Sequence, residues 1–536
     1  MEAVKRLLVA RTILEKAAAD FLDTCAALKL VVVPPVGSIS NQLELESNVD
    51  DILSSVESAI LVESRLCESR VMLRKLLNMS TARVPVNKLP AETLSYVFSI
   101  IAASSPCDSE NNPRDYLLDI PQVCTRWNQV ATNTLSLWSH VDINLSRLSV
   151  TTALSRARTR LDRCHGVPIH LHLDAGIDKV YQDYLPQLCT VIRSHEGLLN
   201  SLVVTRARHN SLVHTLLGFA LSCSGSGSLK TLIVSGATET LFRKTLSSLP
   251  TGLFQGLTVL DLYSLRGSVC TSISDIADIL TNCCSTLHTL RLRCMAISAE
   301  ILPSQPTIPL PQLRFLEISR VYRVAAPLFL MSMLAPGVHE MEVRLSASYI
   351  ARDTVNSPVQ LLLARSNVVS LSIIDFDEIS DQPSLTCLAS VPRLRTLQFG
   401  GIGLARDLAL VLEAITDDQP SQRAPCLQSL CLIDCIISSA AAGVVGRMLR
   451  RRKLRNLAFL NCMYPPSFAG PIIGDQESDL SPEDDEDDED GYLQEMPQTM
   501  REWLSERVGR VVMAEPPYDQ IHNGVDPFVQ KLVKLE

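Results

Sequence analysis

One spacing of apolar residues, Leu-x-x-Leu-x-Leu, recurs along most of the chain. It stands at Leu229/Leu232/Val234, Leu257/Leu260/Leu262, Leu287/Leu290/Leu292, Leu313/Leu316/Ile318 and Val338/Met341/Val343. It continues at Val368/Leu371/Ile373, Leu394/Leu397/Phe399, Leu427/Leu430/Leu432 and Leu454/Leu457/Phe459. An earlier copy starts at Leu199, Ile169-Leu171-Leu173 is a degenerate one, and successive starts lie 25 to 33 residues apart. The last residues of each copy alternate apolar and polar, the period of a strand with one buried face. Between copies lie helix-like segments such as ISDIADILTNCC and AAAGVVGRMLRRR. The pattern predicts stacked strand–helix units over 145–465. A doubly wound α/β domain is the rival, but it does not normally repeat one apolar spacing so often.

Upstream the period changes to that of helices. Val4, Leu7, Leu8, Arg11 and Leu14 predict one helix, broken at Pro34-Pro35-Val36-Gly37, and Val49, Ile52, Leu53, Val56, Ile60, Leu66, Leu73 and Leu77 predict a second over 42–78. Residues 1–80 therefore read as a helical hairpin of coiled-coil-like character. The heptad from Val49 places Val56, Glu63, Arg70 and Leu77 on one seam, and two charges in it argue against a long dedicated coiled coil. Dimerisation through this hairpin is the alternative use.

Residues 84–143 form a different module. Leu89-Pro90-Ala91-Glu92 opens a helix whose stripe is Leu94, Val97, Phe98 and Ile101. Ile120, Val123, Cys124, Trp127, Val130 and Ala131 form a second stripe, and Leu137-Trp138-Ser139-His140-Val141-Asp142-Ile143 runs into a strand. This ordered set, VPVNKLP before and VCTRWNQVATNTLSLWSHVDI after, resembles the F-box-like modules of large basidiomycete-type fungal families. The resemblance implies docking onto a Skp-type adaptor and, through it, a cullin. It implies that Leu89, Pro90, Leu94, Val97 and Phe98 lie at the adaptor surface, with Ile120, Val123, Cys124, Trp127 and Trp138 as the module's core. The gap over Ser104 to Tyr116 is longer than in compact F-boxes. The downstream period matches leucine-rich repeats, including the slot after the last apolar position that Cys435 and Cys462 occupy to bond the turning backbone. The expected architecture is thus α/β: a helical hairpin, a three-helix F-box module, and a curved leucine-rich-repeat solenoid with a parallel sheet on its concave face.

Composition supports this and removes several functions. Apolar residues are 46% of 536, but aromatics only 5%, so the core is aliphatic, as stacked repeats require. The net charge of -9 is located in Glu483 to Asp490, eight consecutive carboxylates, which leaves the rest near neutral. A neutral body gathers neither nucleic acid nor anionic lipid. Residues 470–494 are too acidic to bury a core, and over 495–536 the residues Met500, Trp503, Leu504, Val508 and Val511 predict a short amphipathic helix. Glu2, Lys5, Arg6, Arg11, Glu15 and Lys16 interrupt any signal-peptide core, and Leu30–Val36 is too short to span a bilayer. The chain is expected in the cytoplasm or nucleus, with its 16 cysteines reduced and acting as small core residues.

No nucleophile elbow, phosphate loop, His-Glu-x-x-His or Cys-x-x-Cys pair is present. The expectation is a non-catalytic protein without metal or cofactor. The leading reading is the substrate-recognition subunit of an SCF-type ubiquitin ligase, and the alternative is an interaction scaffold with a vestigial F-box. Alternation places Val259, Asp261, Tyr263, Thr289, Arg291, Arg293, Phe315, Glu317 and Ser319 on the open face of the sheet, followed by Glu340, Glu342 and Arg344. Of these, Asp261, Tyr263, Arg291, Arg293, Phe315, Glu317, Glu340, Glu342 and Arg344 form the candidate surface for an unknown protein substrate, since interface anchors are rich in Tyr and Arg.

Overall fold

The computed structural model describes residues 2–32, 49–79, 85–104, 116–144, 149–174, 185–193, 195, 197–205, 228–236, 254–263, 270–298, 307–321, 325–350, 357–375, 391–402, 425–437, 454–464 and 510–514, and positions 388, 412, 441, 444–445 and 447–449. The acidic run, the 500–508 segment and the 34–37 break lie outside these residues. The chain forms two compact units, one of residues 1–102 with 114–133, the other of 103–113 with 134–536.

The first unit is helical: α1 (Glu2–Val32), α2 (Val49–Met79), α3 (Ala91–Ser104), α4 (Tyr116–Val123) and α5 (Thr125–Asn133). Both long helices of the predicted hairpin are present. The described side chains of α1 are all exposed and those of α2 nearly so, with Leu22 at 67% and Ile60 at 62%. Neither helix therefore packs an apolar stripe against the other, as a hairpin would. Their heptad charges and scattered apolar positions do not make one continuous seam.

The second unit is built on a 13-stranded sheet in which every pairing is parallel and, apart from four short strands that belong elsewhere, spatial order follows chain order. Its strands are β1 (His140–Asn144), β2 (Ile169–Asp174), β3 (Leu199–Thr205), β4 (Thr231–Ser235), β5 (Val259–Tyr263), β7 (Thr289–Arg293) and β10 (Phe315–Ser319). It continues through β12 (Met341–Ser346), β13 (Val368–Ile374), β14 (Thr396–Ile402), β15 (Ser429–Cys435), β16 (Asn456–Leu460) and β17 (Arg510–Ala514). Two small parallel pairs stand apart, β6 (Cys270–Ser272) with β8 (Ala296–Ser298), and β9 (Ile308–Leu310) with β11 (Leu334–Pro336). Among the described residues the helices of this unit include α6 (Val150–Cys164), α7 (Leu185–Arg193), α8 (Ile273–Asn282), α9 (Ala325–Met333), α10 (Ala347–Ile350) and α11 (Pro358–Arg365). Ser149, Ser272 and Ser357 cap α6, α8 and α11 by accepting from backbone N–H groups that the helices leave unpaired.

The leucine spacing fixes the register. Val141, Leu171, Leu202, Leu232, Leu260, Leu290, Leu316, Val343, Leu371, Leu397, Leu430 and Leu457 are partners in turn across the sheet, and all are buried. A second line two residues on runs from Ile143 through Leu292 and Ile373 to Phe459, and one continuous apolar core extends from Val141 to Tyr464. Each fully buried aliphatic side chain contributes about 1.5–3 kcal/mol. The first template position is also buried in each listed copy except Val338, which is 87% exposed. Val338 follows the close turn at Gly337, and its carbonyl accepts from Asn367 Nδ2 at 3.1 Å.

A backbone signature repeats with the sequence. Gly236, Cys294, Arg320, Asp375, Gly401, Asp434 and Asn461 all have positive φ, between 49° and 76°. Each stands four residues after the central leucine of its strand, within one residue of the strand's C-terminal end. The Cys435 and Cys462 thiols donate to backbone carbonyls at this turn, to Ile433 O at 3.1 Å and Leu432 O at 3.4 Å. Cys283 is fully buried and its neighbour Cys284 only partly, as expected of a pair at a helix end.

The sheet also runs past the expected limit of 465. Arg510–Ala514 is a strand paired with β16, so Val511 belongs to the sheet and not to an amphipathic helix. Val511 and Met513 are the strand partners of Leu457 and Phe459, a register that reading Met500 to Val511 as one helix concealed.

Two measurements follow. A Cβ on Gly337 would strike the Pro311 carbonyl oxygen, with the Pro311 C and Cα both at 2.8 Å. Gly337→Ala should therefore lower stability by about 1–3 kcal/mol in urea unfolding, because the obstacle is backbone and cannot rotate away. Burial pushes the thiols of Cys164, Cys283 and Cys431 up to about 11, 12 and 12, while Cys25, Cys67 and Cys426 are exposed. Iodoacetamide at neutral pH should label the exposed three and spare the buried three until denaturant is added, as read by peptide mass spectrometry.

Candidate functional site

In the F-box-like segment, Pro90 stands just before α3 and its carbonyl accepts from Leu94 N at 3.1 Å. Arg126 Nη2 donates to the Leu89 carbonyl and ties α5 to the entry of α3. The Phe98 and Trp127 rings meet at 5.0 Å, tilted by 56°, within the range of favourable aromatic contacts. Asn128 Nδ2 donates to the Pro121 carbonyl at 3.2 Å, closing the turn between α4 and α5.

This geometry divides the expected residues differently. Leu94 and Phe98 are 1% and 0% exposed, so they are core residues and not surface contacts. Val123, expected in the core, is 56% exposed. Leu94 and Phe98 are one turn apart on the buried side of α3, with Phe98 against Trp127, whereas Tyr96, Val97 and Ile100 are 68%, 37% and 50% exposed. Ile120 is buried, and Cys124 and Trp127 are half-buried. Trp138 belongs to the second unit, where it is buried, carries the Arg163 guanidinium 4.3 Å above its ring, and accepts from Cys164 Sγ through its carbonyl at 2.8 Å.

On the sheet, the open face carries charge in register. Asp261, Arg291, Glu317 and Arg344 are cross-strand partners on β5, β7, β10 and β12, so the sign alternates along the row. Arg291 reaches both carboxylates, at 3.5 Å to Asp261 and 3.6 Å to Glu317, and Arg293 Nη2 binds both Asp261 oxygens at 3.0 and 2.9 Å. Arg291 also lies over the Phe315 ring at 4.8 Å, and Arg293 over Tyr263 at 5.3 Å. The Asp261 and Glu317 side chains are 3% and 4% exposed. Burial lowers the pKa of Arg344, with Glu317 opposing the shift and Arg291 and Arg293 adding to it.

The two carboxylates are thus clamped inside the row, not presented to solvent. Glu342 lies on β12, whereas Glu340 precedes that strand and forms an exposed pair with Arg395 at 3.0 Å, a contact worth little. On the last strands Cys431 and Leu460 are both buried.

One further constellation stands at the start of the sheet. His140 and Asp142 on β1 and His172 on β2 place ligand-type atoms all within 4.8 Å of one another. The set contains neither a Cys pair nor a helical His-Glu-x-x-His. The signal was His-x-Asp at 140–142 and His-x-His at 170–172, which strand periodicity puts on one face. Burial alone would raise the Asp142 carboxyl, but hydrogen bonds from His140 and His172, with the charges of His140 and Arg160, hold it far below the usual carboxylate range.

A family model described as F-box-like matches residues 86–144. That span takes in α3 to α5 and ends with β1, and the residues that carry the sequence resemblance, Leu89 to Phe98 and Val123 to Trp138, lie inside it. No curated protein matches the chain.

The clamped row makes a test possible. Arg293→Ala strips Asp261 of its main partner and should cost about 3–5 kcal/mol, the penalty for breaking a buried pair. Adding Asp261→Leu to that variant should recover much of the loss in urea unfolding. A double-mutant cycle with no coupling between the two positions would show that the pair is not structural.

Proposed function

We propose that this chain is a non-catalytic substrate receptor of an SCF-type ubiquitin ligase. The F-box-like match over 86–144 carries the reading, because such domains generally bind Skp-type adaptors, which would in turn recruit a cullin. The exposed apolar side chains of that segment supply a surface for it. Tyr96, Val97 and Ile100 on α3 and Val123 on α4 are large and solvent-facing, and interface cores are built from such residues.

The sheet is then read as a leucine-rich-repeat solenoid that holds a protein substrate. The in-order parallel strands, the positive-φ residue four places after each central leucine, and the buried thiols of Cys435 and Cys462 at the turns all support that reading. The substrate surface shifts with the charges. Because Asp261 and Glu317 are occupied by Arg291 and Arg293, a partner would meet the half-exposed fringe: Tyr263, Phe315, Glu342 and the outer edges of the two guanidinium groups.

Capture by a purified Skp-type adaptor tests the docking half. Val97→Asp with Ile100→Asp should reduce capture at least tenfold while leaving the helical circular dichroism unchanged, since both side chains face solvent. Phe98→Ala should act through folding instead, opening a cavity against Trp127 at a cost of about 3–5 kcal/mol. Undiminished capture of the Val97/Ile100 double variant would remove α3 as the docking surface.

A further inference from the structure

We propose that His140, Asp142 and His172 bind one divalent transition-metal ion of the zinc class, which ties the first strand of the sheet to the second. The ligands come from adjacent parallel strands. Asp142 is the cross-strand partner of His172, and His140 stands two residues before Asp142, so the three share a face. Asp142 Oδ1 lies 2.9 Å from His140 Nε2 and 3.3 Å from His172 Nδ1. Ligands about 2.0–2.2 Å from a tetrahedral zinc stand about 3.3 Å from each other, close to these two separations, while all three atoms lie within 4.8 Å of one another and the two rings can close on one ion.

The surroundings orient the set as metal ligands are oriented. His172 Nε2 lies 3.3 Å from Thr205 Oγ1 on β3, which can hold the ring proton there and leave the Nδ1 lone pair turned inward. Arg160 Nη1 on α6 donates to Asp142 Oδ2 at 2.9 Å and to the His140 carbonyl at 3.2 Å, fixing the carboxylate while leaving Oδ1 towards the two rings. The His172 side chain is 7% exposed, but those of His140 and Asp142 are 38% and 39% exposed. The site therefore has a closed floor and an open mouth, where water or a partner's side chain completes the coordination.

The chemistry of the set selects the ion. Two imidazoles and one carboxylate suit zinc, cobalt, nickel or copper, whereas magnesium and calcium require an oxygen shell. Asp142 supplies one negative charge, and the Arg160 guanidinium beside it opposes a dication, so affinity is moderate. His170, the cross-strand partner of His140, lies on the same face. The same three side chains also satisfy one another as a metal-free hydrogen-bond cluster, and the experiment distinguishes the two.

The untagged full-length chain, stripped with a chelator and kept reduced, is titrated with zinc chloride by calorimetry beside His140→Gln and Asp142→Asn. The cysteines can also take zinc, so the readout is the difference between proteins. The parent should bind one equivalent more than either variant, and zinc should raise its melting temperature further than theirs. Cobalt gives an independent arm: the difference equivalent should lack the ultraviolet charge-transfer band that thiolate ligation produces. His140 is partly exposed, so His140→Gln should fold even if Asp142→Asn, which strips Arg160 of its partner, does not. Equal stoichiometry and equal thermal shifts for the parent and His140→Gln would overturn the proposal.

Discussion

A strand with one apolar face cannot hide that face alone, and in the second unit the neighbouring copies of the same pattern and the helices packed on the sheet hide it together. Leu232 touches the layers of Leu202 and Leu260, Leu290 those of Leu260 and Leu316, and so on from Val141 to Leu457. Because partners share one register, a slip of a single residue would turn every leucine of that strand to the charged face. The helix caps, the positive-φ turns and the small parallel pairs all serve to return the chain to the next layer in phase.

The opposite face obeys a harsher rule. Charges placed at the same register position in adjacent strands stand within reach of one another, and like signs there repel. The order Asp261, Arg291, Glu317, Arg344 avoids this by alternation, and the aromatic rings of Tyr263 and Phe315 take up the guanidinium planes. Such a row is a weak source of net stability, since desolvation consumes much of the Coulomb attraction. Its better-supported role is to hold the register that the leucines also demand.

Much of this was legible in the residues. The repeated spacing located most of the strands and their buried faces, because period and burial are local consequences of one another. The Leu-Pro-x-Glu start and the Val-Cys-x-x-Trp helix located the family match, with Phe98 and Trp127 in contact. What was hidden depended on long-range placement. Whether Phe98 or Val97 faces solvent turns on which side of α3 meets Trp127. The burial of Asp261 depends on two arginines about 30 residues further on, and the His140–Asp142–His172 cluster on strand pairing across a helix. Val511 was missed because five residues are too few to separate strand from helix by period.

The agreement between chain order and strand order bears on how the protein is made. As each new strand leaves the ribosome, the surface it must join has already been completed by the strand before it. No strand of the main sheet waits for a partner synthesised much later, apart from the last, β17, which follows β16 after some fifty residues. Contacts between nearest neighbours in sequence keep the loop-closure cost of each addition small. Growth of the sheet can therefore keep pace with translation, with β1, the strand where the F-box-like segment ends, as the template on which the rest is laid down.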